Sequence, residues 1–522
     1  MFKQLNNSKY YPWFIFLFAL AIYMVNIGGS SIYILDEAKN ATCAAEMYQQ
    51  GNWVVPTFNH ELRTDKPPLH YFFMMLSYSI FGVNAFAARF FSTVFGALTI
   101  LITFLFARRF HSEKVALWTA VVLLASIHLS IQFHLAVPDP YLIFFFTTSV
   151  FSFYAAIKEK QLRYLLLLYI SIGFGTLSKG PVAIGLPGLI FLLFLIFSKR
   201  FNWKEIKQLK PFMGAAIVLL IALPWFILVH LKTNGQWTEG FFFKHNLGRF
   251  SSEMEGHGGI FLITILFVLI GLFPFSAFIV QSLRNAFANR KDDFTLINLV
   301  AGITIVTFFS ISQTKLPNYT VPAYPYFAVI IGLWISKQNL QLVKSKASMI
   351  VLLLFGLILV PALFFGIKFD PALANLNWLA LYFIPIPIGF LLAYYLLSKQ
   401  QLKKSLVVIG LSTLIGSLSF MAIVFPKIDQ ENPVAKSLPL VEGKEVRYFE
   451  KFNPSYSFYL QKEIRKIDST GISGFFTEYP EGVIISTQRR IEKIKLPTSC
   501  EISFSSRDIF ETPTTVLITK KP

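Results

Sequence analysis

Apolar segments of about twenty residues recur through most of this 522-residue chain. A helix of that length crosses the hydrocarbon core of a bilayer. Hydrophobic residues make up 54% of the chain and charged residues 14%, whereas a soluble protein carries about 25% charged residues. The pattern predicts a polytopic α-helical membrane protein.

The basic residues collect in short loops between the apolar segments. Lys3 and Lys9 precede the first segment, and later loops read KEKQLR, SKRFNWKEIKQLK and SKQQLKK. Basic loops mark the cytoplasmic side of a plasma-membrane protein. The alternation predicts about thirteen spans, an uncleaved first helix, a cytoplasmic N-terminus and an extracytoplasmic C-terminal segment. Topology thus accounts for the net charge of +19, and nucleic-acid binding is not expected.

A long polar loop, Tyr33–Leu69, follows the first span and lies outside in this topology. The next apolar stretch, Pro68–Ala107, is long enough to cross twice, but a basic loop follows it. We therefore predict that Pro68–Gly82 is an interfacial helix on the outer surface, as its aromatic residues favour, and that Val83–Ala107 crosses. Residues 31–82 then form one outer loop.

The composition changes after residue 425, where the transmembrane domain (residues 1–425) is predicted to end. Residues 426–522 are predicted to form a small extracytoplasmic α/β domain, large enough to fold alone, with a structural or docking role. The expected elements are an amphipathic helix and three strands, at Pro454–Lys466, Glu445–Phe449, Gly482–Ser486 and Thr515–Thr519.

The chain has two cysteines, Cys43 and Cys500. Both lie outside in the predicted topology, where they either pair or remain free thiols. No CxxC motif or Cys/His spacing typical of metal ligands is present in the sequence, which excludes a zinc-finger site.

Charged and polar residues from distant parts of the chain fall at the outer ends of spans or in outer loops. Gathered at one depth on one face, they indicate a site. They are Asp36, Glu37, Arg63, Asp65, Lys66, Asp139, Lys179, His245, Arg249, Lys315 and Tyr319.

Two acids and several cations at an outer membrane face suit transfer from a phosphate-activated lipid. The cations would hold the phosphate and stabilise the charge it gains as a leaving group. A carboxylate would accept the proton of an acceptor hydroxyl. We predict that Arg63, Lys66, Lys179, Arg249 and Lys315 form the phosphate site.

Five segments in order also resemble a known family. The first loop contains LDEAKNATCAAEMYQQGNWVVPTFNHELRTDKPPLHYF, and the Asp139 turn, LSKGPVAIGLPGL, FFFKHNLGRF and SQTKLPNYTVPAYP follow. Together they resemble the C-type (GT-C) polytopic glycosyltransferases, in the branch of the lipid A aminoarabinose transferases and the bacterial relatives of protein O-mannosyltransferases. The resemblance covers residues 36 to 325.

The resemblance implies roles for matching residues. Asp36 corresponds to the acid taken as catalytic in the family, and Asp139 to a second acid. Lys66, Lys179 and Tyr319 match residues near the lipid phosphate. Glu37, next to Asp36, is the reserve catalytic acid.

The sequence also bears on whether the protein binds a metal ion. Where this branch has a glutamate that helps to form a metal site, this chain has the shorter Asp65, with His245 as its obvious partner. We therefore expect no metal and no other cofactor, and we keep Asp65 and His245 as the candidate ligands.

The resulting hypothesis is an inverting glycosyltransferase. It would move a sugar from a polyprenyl-phosphate donor to a lipid, glycan or protein acceptor at the outer face of the plasma membrane. A transporter or flippase of a lipid-linked glycan is the alternative, and a scaffold that binds a partner through its C-terminal domain is a third possibility.

Overall fold

The computed structural model describes residues 10–248, 259–337, 343–510 and 512–521. Arg249, one of the predicted phosphate-binding residues, lies outside the described residues. Helices dominate these ranges, and a five-stranded sheet lies near the C-terminal end. The predicted fold class, a helical polytopic protein with a small α/β unit, is confirmed.

The helical part consists of long apolar helices joined by short connections. Its α-helices are α1 (Tyr11–Tyr23), α2 (Leu35–Gln49), α3 (Leu69–Phe81), α4 (Ala85–Phe110), α5 (Glu113–Leu124), α6 (Ile127–Phe133), α7 (Asp139–Glu159), α8 (Leu162–Lys179), α9 (Val182–Phe197), α10 (Trp203–Gln208), α11 (Pro211–Lys232), α12 (Gln236–Glu239), α13 (Leu262–Gly271), α14 (Ile279–Ala288), α15 (Asp293–Ile311), α16 (Tyr324–Lys337), α17 (Val343–Phe369), α18 (Pro385–Ser398) and α19 (Leu402–Ser419). Its 3-10 helices are Phe275–Phe278, Pro317–Ala323 and Ala374–Phe383, and its π-helical segments are Gly240–Leu247 and Phe420–Val424.

Close helix contacts depend on small residues, as is usual where lipid surrounds the bundle. Gly332 on α16 packs against α5, where an added Cβ would lie 2.7 Å from Thr119 Oγ1 and 3.0 Å from the Val115 carbonyl oxygen. Gly96 on α4 likewise lies against the ring of Phe133. A larger side chain at these positions would push the helices apart.

The predicted number of spans is not confirmed. Within the described ranges, eight helices are long and apolar enough to cross a membrane, or up to ten if each of two bent pairs is one span. α1 and α9 are apolar but have only 13 and 16 residues.

Two pairs of apolar helices are separated by sharp bends. α5 and α6 meet at an angle of 69°, and α13 and the helix over Phe275–Ala288 meet at 116°. The two breaks lie against each other, because the Ser126 hydroxyl donates a hydrogen bond of 2.6 Å to the Gly271 carbonyl. Ser126 also caps α6 by accepting from the Leu129 amide, which explains why the sequence turns there.

The first outer loop is an ordered structure. After α2 comes a hairpin of β1 (Thr57–Phe58) and β2 (Glu61–Leu62). Glu46 on α2 holds its tip, because its carboxylate accepts from the Thr57 hydroxyl and the Asn59 amide at 2.6 and 2.7 Å. Pro68–Gly82 does form a helix, α3, but its position along the membrane surface stays a prediction.

The C-terminal part contains a mixed sheet in the order β4-β3-β5-β7-β6. β3 is parallel to both β4 and β5, and β7 is antiparallel to β5 and β6. Its strands and helices are α20 (Phe425–Asp429), α21 (Pro433–Val441), β3 (Val446–Phe449), α22 (Ser455–Leu460), β4 (Arg465–Ile467), α23 (Ile472–Glu478), β5 (Val483–Thr487), α24 (Gln488–Ile491), β6 (Cys500–Arg507) and β7 (Thr514–Lys520).

The three predicted strands are confirmed as β3, β5 and β7, but only the first half of the helix predicted over Pro454–Lys466 is confirmed. Its first part forms α22, and Gln461 ends that helix in a left-handed conformation with φ of 48°. The following Arg465–Ile467 pairs with β3 as an edge strand. Sheet pairing with a distant strand thus overrides the helical pattern.

This C-terminal unit is fastened to the chain just before α2. Tyr33 packs in the apolar core on one face of the sheet. The Asp429 carboxylate accepts from the amide and hydroxyl of Ser31 at 2.6 and 2.7 Å. The Tyr459 hydroxyl oxygen holds the same segment by accepting a hydrogen bond of 2.8 Å from the Ile32 amide.

Cys43 and Cys500 are free and buried. They lie in separate apolar cores, one beside α2 and one on the sheet. Of the two alternatives left open by the sequence, the structure therefore supports free thiols.

Candidate active site

One cavity of about 480 Å³ collects residues from several separate segments of the chain. Asp65 and Lys66 come from the end of the first loop, Lys179 from the C-terminal end of α8, and His245 from the π-helical segment. Tyr319 comes from the 3-10 helix after α15. Its remaining wall is mostly apolar and includes Leu142, Val182, Leu186, Phe241 and Phe308. The cavity therefore offers both cations and an apolar surface.

Lys179 and Asp139 form a short ion pair at the edge of this cavity. Lys179 Nζ lies 2.6 Å from Asp139 Oδ1, and the side chains are 18% and 4% exposed. Asp139 is the first residue of α7 and Lys179 the last of α8, where the helix dipoles favour a negative and a positive charge respectively. Helix geometry therefore supports both charges.

Two neighbours fix this pair. The Asn318 side-chain amide donates a hydrogen bond of 3.2 Å to the same Asp139 oxygen. Lys179 Nζ lies 5.4 Å from the centre of the Tyr319 ring. A cation over an aromatic face is stabilised by the ring quadrupole. The Lys179 ammonium is thus held in one place while it lines the cavity.

Arg63 connects the acids of the first loop. Its Nη2 lies 3.6 Å from both Asp36 Oδ1 and Asp65 Oδ2, and it donates to the Asn40 side chain at 2.9 Å. The Arg63 side chain is 4% exposed, whereas that of Asp36 is 50% exposed. Asp36 therefore presents a carboxylate to solvent with a buried cation behind it.

The Arg63 guanidinium still has donor capacity. Among the residues that the structure describes, its buried Nε and Nη1 have no hydrogen-bond partner. A buried charged group is costly unless its donors are satisfied. This favours an anion as a partner for Arg63.

Asp65 is surrounded by positive charge. Its Oδ1 lies 3.1 Å from His245 Nε2. Burial alone would raise the pKa of Asp65, but the positive charge of Arg63, followed by that of His245, outweighs burial and lowers the pKa. Asp65 is therefore an ionised partner for neighbouring cations.

Two further lysines lie close by. Lys66 lines the cavity and is 8% exposed. Lys315 is 9% exposed and donates a hydrogen bond of 2.6 Å to the carbonyl of Ser312, which lines the same cavity. Lys66 thus faces the cavity directly, whereas Lys315 supports its wall.

Glu37 lies elsewhere. It is 1% exposed and receives two hydrogen bonds from Arg89, at 2.7 and 2.8 Å. The same carboxylate accepts from the Ala136 amide at 2.8 Å. Arg89 also donates to the carbonyls of Ile27, Ser30 and Ser31. Glu37 is therefore part of a buried network that joins the start of α2 to the turn before Asp139.

The geometry brings together most of the residues singled out in the sequence. Around the cavity or one contact from it lie Arg63, Asp65, Lys66, Asp139, Lys179, His245, Lys315 and Tyr319, and Asp36 follows one contact further out, through Arg63. Glu37 points into the network with Arg89.

Sequence reasoning missed the groups that hold these residues in place. Asn40 and Asn318 bind Arg63 and Asp139, and the Trp237 indole donates to the Arg63 carbonyl at 2.8 Å. Neutral polar residues and a tryptophan carry no signal in a charge pattern. The sequence did mark Arg89 as unusual, since it is a single charged residue within an apolar segment, where an unpaired charge is costly.

Among the residues that the structure describes, the donor set at Asp65 is smaller than a resident metal uses. Among the described residues, no group of three or more His, Cys, Asp and Glu side chains is close enough to hold a metal ion. A protein zinc site uses three or four such ligands. Asp65 and His245 supply two, and Arg63 already faces Asp65. The expectation of no metal requirement stays a prediction.

Comparison with known proteins gives relatives of one kind. A family model described as dolichyl-phosphate-mannose-protein mannosyltransferase matches residues 65–228. The undecaprenyl phosphate-alpha-4-amino-4-deoxy-L-arabinose arabinosyl transferase of Pseudomonas aeruginosa is 28% identical over 62% of this chain, and the match spans 60% of that relative's length. An uncharacterised protein of Aquifex aeolicus is 28% identical over 92% of this chain and 88% of its own length.

A solved structure matches the whole fold. The crystal structure of ArnT from Cupriavidus metallidurans, bound to undecaprenyl phosphate, superposes with a TM-score of 0.78, covers 98% of both chains and is 20% identical. The chain resembles the C-type glycosyltransferases. Among them it is similar to the aminoarabinose transferases, as the sequence motifs indicated.

Proposed function

We propose that this protein is a glycosyltransferase of the C type that uses a polyprenyl-phosphate sugar as donor. The acceptor is a lipid, glycan or protein at the outer face of the plasma membrane. Relatives named as undecaprenyl-phosphate arabinosyl transferases and the match to a mannosyltransferase family support this activity. The alternative of a flippase is not supported by these relatives.

The observation that carries the proposal is the mixed lining of one cavity. Lys66 and Lys179 face the same space as an apolar wall that includes Leu186 and Phe308. An amphiphile with a phosphate head and a hydrocarbon tail matches both surfaces. Lysine ammonium groups and the Arg63 guanidinium are the usual partners of a phosphate.

The chemistry would be a single displacement. The acceptor hydroxyl oxygen attacks the anomeric carbon, and the bond from that carbon to the phosphate oxygen breaks. The polyprenyl phosphate leaves with one more negative charge, which Lys66, Lys179 and Arg63 stabilise. Asp36, half exposed beside Arg63, accepts the hydroxyl proton. One displacement inverts the anomeric centre.

Asp139 has a positioning role in this scheme. Its carboxylate fixes the Lys179 ammonium at 2.6 Å. The centre of the Tyr319 ring lies 5.4 Å from the same ammonium. Lys179 then meets the donor phosphate in one orientation, which is the geometric condition for charge stabilisation in the transition state.

We also propose the topology in which the first loop and residues 426–522 are extracytoplasmic. The C-terminal unit fastens residues 31–33 just ahead of Asp36, so it would support the catalytic loop. This supports a structural role for it, and the cavity is built from residues before 426.

The decisive test is to express the Asp36→Asn variant in a strain from which the gene for this protein has been deleted. We expect polyprenyl-phosphate sugar to accumulate in that strain and to fall when the wild-type protein is restored. Asp36→Asn should leave the accumulation in place and reduce transfer by at least about a hundredfold, since general-base catalysis contributes that much or more.

Glu61→Gln is the matched control, because Glu61 is an exposed acid in the same loop. It should restore the wild-type lipid profile. Both variants should be present in the membrane in equal amounts. An Asp36→Asn protein that clears the accumulated donor as well as wild type would refute the role of Asp36.

A further inference from the structure

A second groove of about 1000 Å³ runs along the helix pair that carries the active-site cavity. α9 and α15 form its walls, with Leu189, Phe197 and Ile303 among the exposed apolar side chains. The first residues of α9 and the last of α15 line the active-site cavity. Phe308 lines both spaces, so the groove and the active-site cavity adjoin at this residue.

The far end of this groove is basic. Lys199, Arg290 and Lys291 line it together, and all three are exposed. From Leu186, in the active-site cavity, to Phe197 beside this end, α9 rises by about 17 Å. The three cations therefore lie too far away to contact a phosphate in the active-site cavity.

Among the described residues that line the groove, one is an acid, and it does not neutralise these cations. Asp293 already contacts two others, Lys158 Nζ at 2.5 Å and Arg200 Nη2 at 2.6 Å. The neighbouring Asp292 caps α15 by accepting from the Thr295 amide and hydroxyl. The groove end thus keeps a positive charge beside an apolar wall.

We propose that this groove binds an anionic phospholipid. Its phosphate would lie among Lys199, Arg290 and Lys291, and an acyl chain would lie along α9 and α15 toward Phe308. Basic pockets between membrane helices favour such head groups, and one basic residue near the surface contributes about fivefold in affinity. In the proposed topology this is a lipid of the cytoplasmic leaflet, so the site is distinct from the donor site.

The charge arrangement favours a phospholipid over the tail of the sugar donor. A donor held by Lys66 and Lys179 has its phosphate at the opposite end of the helix pair, and its tail carries no charge for the basic end to bind. An occupant that satisfies both the cations and the apolar wall needs its own anionic head group.

The test is a lipid titration of the purified full-length protein in detergent, followed by native mass spectrometry. The probes are phosphatidylglycerol, phosphatidylcholine with the same acyl chains, and undecaprenyl phosphate. The wild-type protein should bind phosphatidylglycerol at least about tenfold more tightly than phosphatidylcholine. The variant Lys199→Gln/Arg290→Gln/Lys291→Gln should lose that preference and keep its affinity for undecaprenyl phosphate.

The control is Lys399→Gln/Lys403→Gln/Lys404→Gln, which removes three exposed lysines from the end of α18 and the start of α19. It should keep the preference for phosphatidylglycerol, and an equal loss in this control would reduce the effect to unspecific surface charge and overturn the proposal. Leu189→Trp fills the groove and should weaken phosphatidylglycerol binding. If it weakens only undecaprenyl phosphate binding, the groove holds the donor tail and the proposal is wrong.

Discussion

Two ion pairs, Arg89–Glu37 and Lys179–Asp139, differ in their burial and in what they contact. Arg89 and Glu37 are 3% and 1% exposed, and Glu37 receives two hydrogen bonds from Arg89. Lys179 and Asp139 meet through one oxygen, and Lys179 lines a cavity. The first pair holds segments together, whereas the second presents a cation to a ligand.

The comparison is sharpest at Asp36 and Glu37, which are neighbours in the sequence. Successive residues of a helix point about 100° apart, and both lie in the first turn of α2. Asp36 is therefore half exposed beside Arg63, while Glu37 enters the interior. A dipeptide of two acids can thus supply one reactive group and one structural group.

The largest expected effect is on stability, from Glu37→Ala. Removing one partner of a buried ion pair costs about 3 to 5 kcal/mol, because it leaves Arg89 charged and unpaired. Thermal unfolding of the detergent-solubilised protein should show a large fall in midpoint, whereas Glu61→Ala should show almost none. A stable Glu37→Ala protein that has lost transfer would instead make Glu37 catalytic.

Lys179→Gln should act in the opposite way. We expect at least about a tenfold loss of affinity for undecaprenyl phosphate, since one charge-assisted contact is removed. The unfolding midpoint should fall less than in Glu37→Ala, because Asn318 still donates to Asp139. Lys179→Arg, which keeps the charge, is the matched control. If the Lys179→Gln variant binds undecaprenyl phosphate as tightly as the wild type, Lys179 does not contact the phosphate.

Asp429→Ala tests how the C-terminal unit supports the loop. It removes both hydrogen bonds to Ser31, which should cost about 1 to 3 kcal/mol. Hydrogen exchange at residues 31–36 should become faster, and transfer should fall several-fold. Glu431→Ala, which removes a more exposed ion pair with Lys436, should change neither. If hydrogen exchange at residues 31–36 is equally fast in both variants, the C-terminal unit does not stabilise the first loop through Asp429.

The smallest expected effect is that of a chelator. Asp65 offers its carboxylate to Arg63 and His245, and two candidate ligands are fewer than a resident metal uses. Transfer by the purified protein should change by less than about twofold after EDTA treatment. A large loss that Zn²⁺ or Mg²⁺ restores would place a metal at Asp65 and His245.

Much of this could be predicted from the sequence because the membrane imposes strong rules. Charged loops and apolar segments indicated the class and gathered Asp65, Lys66, Lys179 and Tyr319, which do line one cavity. Helix breaks were not predictable in the same way. A hydrophobic segment has the same composition whether it is straight or bent, and the break at Ser126 depends on a contact with Gly271, far away in sequence.

The partition of the candidate site was also beyond sequence reasoning. Asp36 and Glu37 have similar chemistry, and only the direction in which α2 turns separates them. Whether Cys43 and Cys500 form a disulfide could not be predicted from the sequence for the same reason. Their burial in separate cores is a property of packing between distant elements.

The packing around Gly271, which also contacts Ser126, limits how the sequence can evolve at this bend. The hydroxyl satisfies a carbonyl at the end of α13, and a Cβ at position 271 would overlap the Tyr324 hydroxyl at 1.8 Å. A larger residue at position 271 therefore requires a smaller one at position 324, whereas the carbonyl that Ser126 binds is present with any residue at 271. Across the descendants of this gene, a change at position 271 should be accompanied by a compensating change at position 324.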